Sequence, residues 1–242
     1  MAYKLKCIAC GAEYPSQEIR YSCDCGGLLD VEHDLVALKV SRELFDRRLA
    51  ERWSCNSSTA SGVWRYRELI PSPGEGQIVS RPEGNTNLYR SPRLSEWVGV
   101  DDLYLKHEGE NPTGSFKDRG MTVGVTQAGL LGCRAVACAS TGNTSASMAA
   151  YAALAGLAAI VFIPEGGVAL GKLAQALAYG AKTLQVRGDF DAAMRLVRRV
   201  CDELGIYLLN SLNPFRIEGQ KSIVFETIQQ LGWQTPDWIV LP

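Results

Sequence analysis

Between residues 135 and 209 the chain alternates short apolar runs with longer helical patterns, and this alternation constrains the fold more than any other feature. The runs at 135–139, 158–163, 183–186 and 207–209 read as strands, and the stretches at 144–155, 170–179 and 189–204 read as helices. Strand and helix in strict alternation imply an α/β fold, with an open, mostly parallel sheet covered by helices on both faces. Residues 146–163 are almost wholly apolar and near the length of a membrane span. Gly156 interrupts them and Pro164-Glu165 ends them, so a buried helix feeding a buried strand is expected, and no membrane partner. With 242 residues, 46% of them hydrophobic, and a net charge of −1, the chain has enough length for a sizeable core and no electrostatic reason to bind nucleic acid. Met1 to Lys6 carries charge with no apolar run after it, so a secretory signal is not expected and a cytoplasmic, reducing setting is.

The decapeptide Asn111-Pro-Thr-Gly-Ser-Phe-Lys-Asp-Arg-Gly120 delivers Lys117 into the first turn of a helix. Pro112 and Gly114 suit a turn, and Ser115 paired with Asp118 has the spacing of a capping box, so a helix starting at Phe116 is expected. Gly124 and Gly129 in its body favour close packing over intrinsic helicity, and Gly132 closes it. A cation at the positive end of a helix dipole is disfavoured by about 0.3–1 kcal/mol. Burial lowers a lysine pKa further and makes the neutral, nucleophilic amine more accessible. A solvated surface lysine is the alternative. After the apolar run 135–139 comes Ser140-Thr-Gly-Asn-Thr-Ser-Ala-Ser147, read as a tight small-residue turn opening a helix. Its free N–H groups and hydroxyls suit a carboxylate or a phosphate ester, and an ordinary Ser/Thr-rich N-cap is the alternative.

Leu105-Lys-His-Glu-Gly-Glu-Asn-Pro-Thr-Gly-Ser-Phe-Lys-Asp-Arg-Gly-Met121, Glu83-Gly-Asn-Thr-Asn-Leu88 and Asn210-Ser-Leu-Asn-Pro-Phe-Arg-Ile-Glu-Gly-Gln-Lys221 together resemble pyridoxal-phosphate enzymes of the tryptophan-synthase β-like fold, the threonine synthases in particular. The resemblance runs from Cys7 to Pro242, with Asn87 standing where proline is usual. It implies that Lys117 is the Schiff-base lysine, that Phe116 lies beside the cofactor and that Asn143 hydrogen-bonds its 3′ oxygen. The turn formed by Ser140, Thr141, Gly142, Asn143 and Thr144 would receive the substrate carboxylate. Thr144, Asn210, Ser211 and Arg216 would hold the substrate phosphate. A guanidinium suits phosphate because its fork binds two oxygens at once. On residues alone, Arg216 reads rather as a surface ion-pair partner and Asn210-Ser211 as a strand-ending turn. The implied reaction converts O-phospho-L-homoserine and water to L-threonine and phosphate. The alternatives are a β-eliminating or β-replacing relative acting on phosphoserine, serine or threonine, or a catalytically silent binding protein. A homodimer is implied because family members are often dimers. The implied division assigns 133–210 to a smaller α/β domain, and 81–132 with 211–242 to part of a larger cofactor-binding domain.

Cys7-Ile-Ala-Cys10 and Cys23-Asp-Cys25 form two short thiol pairs that would surround one Zn²⁺ tetrahedrally, although Cys-x-Cys departs from the stronger Cys-x-x-Cys spacing. A structural zinc ribbon over residues 1–30 is expected, with metal-free thiols or disulfides as alternatives; some threonine synthases begin with a comparable segment. Residues 31–80 read as an extension, with the polar stretch 54–62 as a linker. Cys55, Cys133, Cys138 and Cys201 read as buried apolar residues, and His33 and His107 are assigned no role. Asp237-Trp-Ile-Val-Leu-Pro242 reads as a strand. In the resembled family it leads to a glycine-rich loop gripping the cofactor phosphate, so a chain ending here is expected to be a fragment with reduced cofactor affinity.

Overall fold

An antiparallel three-stranded sheet opens the chain, built from β1 (Tyr3–Cys7), β2 (Glu13–Pro15) and β3 (Leu29–His33) in the order β2-β1-β3. In this computed structural model, residues 3–34, 36, 38–53, 58–166 and 170–241 are described. Side chains on β1 alternate: Leu5 and Cys7 point into the core, while Lys4 pairs with Glu13 at 2.6 Å and Lys6 with Glu32 at 2.6 Å. Helix α1 (Arg42–Ala50) follows, capped by Ser41 Oγ, which accepts from the Leu44 N–H. Of the expected linker, residues 54–57 lie outside the described residues, as does Cys55. Residues 59–62 are buried rather than solvated, and Ser61 Oγ–H donates to the carboxylate of Glu83. Polar composition suggested a linker there because it does not reveal that a carboxylate needs those hydroxyls.

A small antiparallel pair, β4 (Leu88–Arg90) and β5 (Tyr104–Lys106), brackets α2 (Pro92–Val98). Helix α3 (Lys117–Leu130) then runs through the middle of the molecule, with every residue from Asp118 to Ala128 buried. A helix covered on all sides shows no polar face, so its sequence carries little helical periodicity. The expected capping box is absent. Phe116 occupies the N-cap; the Ser115 hydroxyl oxygen still accepts from the Lys117 N–H at 3.4 Å, but the Asp118 carboxylate takes the Thr113 N–H at 2.7 Å instead of closing a box.

Beyond α3 the alternation forms as expected: β6 (Ala135–Ala139), α4 (Asn143–Ala155), β7 (Ala158–Pro164), α5 (Leu170–Ala178), β8 (Lys182–Val186), α6 (Phe190–Leu204) and β9 (Tyr207–Leu208). The sheet is wholly parallel in the order β8-β7-β6-β9. Successive residues of β6 serve opposite faces. Val136 and Cys138 pack with Met148, Tyr151 and Ala152 of α4, while Ala137 and Ala139 pack with Ala193, Val197 and Cys201 of α6. Helices α7 (Pro214–Gln220) and α8 (Ser222–Gln230) close the described fold.

α7 lies against α3 at glycine contacts. A Cβ on Gly219 would land on the Arg119 carbonyl, and one on Gly120 would lie 2.9 Å from the Arg216 carbonyl. Gly124 likewise admits Leu209 and the stem of Arg216, whereas Gly129 faces open space, so only the first of the two expected close-packing glycines is used for it. Residues 237–241 form no strand. They pair with no neighbouring strand and leave Trp238 86% exposed, because strand propensity cannot hold a backbone extended without hydrogen-bond partners beside it. Among the described residues, no helix is long and apolar enough to cross a membrane.

Candidate functional site

Lys117 is the first residue of α3 and is half-buried, its Nζ lying 3.8 Å from the centroid of the Phe116 ring. Partial burial lowers the lysine pKa, and the Arg216 guanidinium lowers it further. Both effects enlarge the neutral fraction of an amine at a site reached from solvent, which suits attack on an aldehyde.

Arg216 supplies the main electrostatic feature. It is 3% exposed, and its Nη1–H donates to the Leu209 carbonyl at 3.1 Å. Its Nε has no hydrogen-bond partner, and no carboxylate pairs with it among the described residues. Burial brings its pKa down to about 10, so it remains charged at neutral pH. An unpaired buried cation is costly and calls for an anion.

The Ser140–Thr144 turn joins β6 to α4. Gly142 is the N-cap and contributes no side-chain cap bond, so N–H groups of the first turn stay available. Ser140, Thr141, Gly142 and Thr144 are half-buried and Asn143 is exposed, as a binding lip requires. Asn210, two residues beyond β9, fixes the end of β6 just before this turn: its Nδ2–H donates to the Ala139 carbonyl and its Oδ1 accepts from the Ala139 N–H, both at 2.9 Å. Ser211 is exposed beside it. The turn, the Asn210 clamp, Arg216 and Lys117 therefore lie on connected elements around one end of the parallel sheet.

Several residues that hold this arrangement escaped sequence reasoning. Glu226 on α8 accepts from Lys106 Nζ at 2.6 Å, Arg119 Nη2 at 2.8 Å, Arg65 Nη2 at 3.1 Å and the Asn85 N–H at 2.8 Å. Burial alone would raise its pKa, but Arg119, Lys106 and Arg65 outweigh that and hold it down at about 2. His33 is not idle: its Nε2–H donates to Glu218 in a contact less than a tenth exposed, tying β3 to the helix that carries Arg216. His107 pairs at the surface with Glu110 at 3.2 Å. Such pairings join residues up to 185 positions apart, and no local spacing announces them.

At the N-terminus the sulfur atoms of Cys7, Cys10, Cys23 and Cys25 lie within 4.8 Å of one another, with Cys7–Cys25 at 3.6 Å and Cys10–Cys23 at 3.5 Å. Four sulfurs about 2.3 Å from a tetrahedral Zn²⁺ are about 3.8 Å apart, so the cluster has the right size. Hydrogen bonds from Tyr14 and the backbone bring Cys23 down to about 6. For Cys25 the Gly27 N–H lowers the pKa, but the other three thiols outweigh it and push it up to about 12, so full ionisation needs a cation. Of the other cysteines, Cys138 and Cys201 are buried and Cys133 is half-buried.

This end of the sheet thus offers a lysine of lowered pKa beside an aromatic ring, a helix start whose N–H groups are not taken by a side-chain cap, and a buried arginine without a carboxylate partner among the described residues. The family model described as pyridoxal-phosphate dependent enzyme matches residues 79–242, and the chain belongs to that family. It is 54% identical to threonine synthase from Methanocaldococcus jannaschii over 98% of this chain and 56% of that protein. It is also 44% identical to chloroplastic threonine synthase 2 of Arabidopsis thaliana, over 95% of this chain and 46% of that one. The chain thus spans about half the length of the curated relatives it matches. Among solved structures, maize serine racemase superposes with a TM-score of 0.56 at 26% identity, over 62% of this chain and 45% of that one. A tomato threonine deaminase isoform shares the fold at a TM-score of 0.53 and 21% identity, over 79% of this chain and 47% of that one.

Proposed function

We propose that this chain carries the lysine, the anion turn and the phosphate-binding arginine of a threonine synthase, which converts O-phospho-L-homoserine and water to L-threonine and phosphate. The observation that carries this reading is Arg216, a buried cation without an anionic partner among the described residues, whose charge reaches Lys117. The likeness to threonine synthases over nearly the whole chain supports it.

Pyridoxal phosphate, when bound, supplies an electron sink that stabilises negative charge on substrate carbons. Lys117 would hold the cofactor and, once freed by the substrate amine, its neutral Nζ would carry protons between substrate carbons. Phe116 would cover one side of the cofactor and exclude water, and Asn143 would orient it through its 3′ oxygen. The Ser140–Thr144 turn would take the substrate carboxylate on N–H groups and hydroxyls. Arg216, with Thr144 and Ser211, would bind the departing phosphate. Asn210 spends donor and acceptor on Ala139, so its share in that phosphate site lies in the strand end it fixes. The reading also expects cytoplasmic work by a homodimer, which sedimentation equilibrium tests for its oligomeric part.

Borohydride reduction of the 242-residue chain with pyridoxal phosphate, followed by peptide mass spectrometry, tests the cofactor assignment. A specific adduct on Lys117, lost in Lys117→Ala, is expected. Labelling spread over surface lysines would reject it. Threonine release from O-phospho-L-homoserine by Lys117→Ala at the unsubstituted rate would reject the catalytic role.

A further inference from the structure

Helix α4 carries the anion turn at its N-terminus, and two of its side chains reach across to fully buried carboxylates. Ser147 Oγ–H donates to Asp118 Oδ1 at 2.5 Å, and Tyr151 O–H donates to Glu83 Oε2 at 2.7 Å. Residues 147 and 151 are four apart and lie on one face of the helix. Their acceptors belong to the two segments that flank the candidate site. Asp118 follows Lys117 directly, and Glu83 opens the Glu83–Leu88 loop.

Neither carboxylate has a cationic partner among the described residues; neutral donors satisfy both. Asp118 also accepts from the Thr113 N–H at 2.7 Å and the Thr113 hydroxyl at 2.5 Å. Glu83 accepts from the Ser61 hydroxyl, and from Ser80 Oγ and the Arg81 N–H at 3.0 Å each. Burial raises the pKa of Tyr151, and Glu83 and Asp118 raise it further, so the phenol keeps its proton and donates. Two carboxylates without counter-charge are a costly way to fasten a helix that already buries Met148, Ala149, Ala150 and Ala152. Apolar packing tolerates small slides, whereas hydrogen bonds of this length fix direction and register.

We infer that Ser147 and Tyr151, through Asp118 and Glu83, are positioning residues that set the register of α4, and so place the Ser140–Thr144 turn at a fixed separation from Lys117 and from the Glu83–Leu88 loop. The inference rests on the proposed function for its consequence, because only a site that spans α3 and α4 needs this registration. None of the four side chains touches cofactor or substrate in that scheme.

Ser147→Ala and Tyr151→Phe each remove one hydroxyl and leave the carboxylate its other donors. They are tested singly and together in the 242-residue chain. Val197→Ala, in α6 on the opposite face of the sheet, is the control for general loss of stability. Two quantities are read on chains shown by circular dichroism to be folded: hydrogen exchange of the peptide spanning 140–146, and the rate of borohydride-trapped pyridoxal-phosphate adduct on Lys117. The variants are expected to speed exchange in that peptide and to slow adduct formation, by about tenfold in the double variant. That is within the roughly hundredfold that a 1 Å misplacement can cost. The control is expected to change neither. Unchanged exchange and adduct rate in both single variants, or equal changes in Val197→Ala, would overturn the inference. If the unsubstituted chain forms no adduct, the cofactor reading falls, and the exchange comparison alone decides the registration.

Discussion

Arg216 offers the sharpest test, because binding and stability should pull in opposite directions there. Its guanidinium is 3% exposed, has one acceptor in Leu209 and no anionic partner among the described residues, and its pKa has fallen to about 10. At about 1.4 kcal/mol per tenfold change in proton affinity, that fall is a penalty of about 3 kcal/mol on the charged form. The sign follows from the direction: a cation whose pKa is lowered on folding destabilises the fold at every pH below about 10, and the penalty fades only above it. Arg216→Met removes the charge and keeps most of the apolar stem. It also leaves the Leu209 carbonyl unpaired, at a cost of about 1 kcal/mol at the low end of the usual range. The net gain is about 2 kcal/mol, which raises Tm by about 4–8 °C in a chain of this size. Differential scanning calorimetry at pH 7.5, with and without 50 mM inorganic phosphate, reads both effects. Phosphate should stabilise the unsubstituted chain by mass action and leave Arg216→Met unchanged. A fall in Tm of several degrees on substitution would refute the view of Arg216 as a strained, unpaired cation. Equal stabilisation of both chains by phosphate would place the anion site elsewhere.

Gly219→Ala should force α7 away from α3, since the new methyl meets the Arg119 carbonyl; a loss of about 1–3 kcal/mol by urea denaturation is expected, and an unchanged midpoint would contradict the close approach. Glu226 is held at about 2 from an ordinary value near 4.5, so its contribution is complete above pH 4.5 and lost as pH falls towards 2. Urea midpoints measured from pH 5 to 2 should therefore decline, with a shallower decline in Glu226→Gln. Plasma-emission analysis of freshly purified chain should find about one Zn²⁺ per molecule held by the four thiols, and chelation should lower Tm; metal-free protein with the same Tm would remove the zinc assignment.

The parallel block was legible in the chain because its signal is local. Apolar runs of strand length at 135–139 and 158–163 and helix patterns at 144–155 and 189–204 match the observed elements within a residue or so, since periodicity reports burial of one strand or helix face at a time. The lysine segment and the Ser/Thr/Gly turn were legible for the same reason: each is a contiguous motif. The thiol pairs were too, because ligand spacing within a knuckle is a local property. Other features were decided only by tertiary contact. Asp118 matched a capping box but bonds Thr113 and Ser147, since a buried carboxylate takes the donors that packing brings to it. The stretch 59–62 looked like part of a solvated linker and is buried, with Ser61 on the Glu83 carboxylate. His33, without a role in the sequence, meets Glu218 across 185 residues. Residues 237–241 have the composition of a strand yet form none, because an extended backbone depends on a partner to accept its hydrogen bonds. The chain by itself set which residues can do chemistry, through motifs whose members are neighbours in sequence. The fold set which of them face one another and which charges stay unpaired, because desolvation and hydrogen-bond partners are properties of three-dimensional packing.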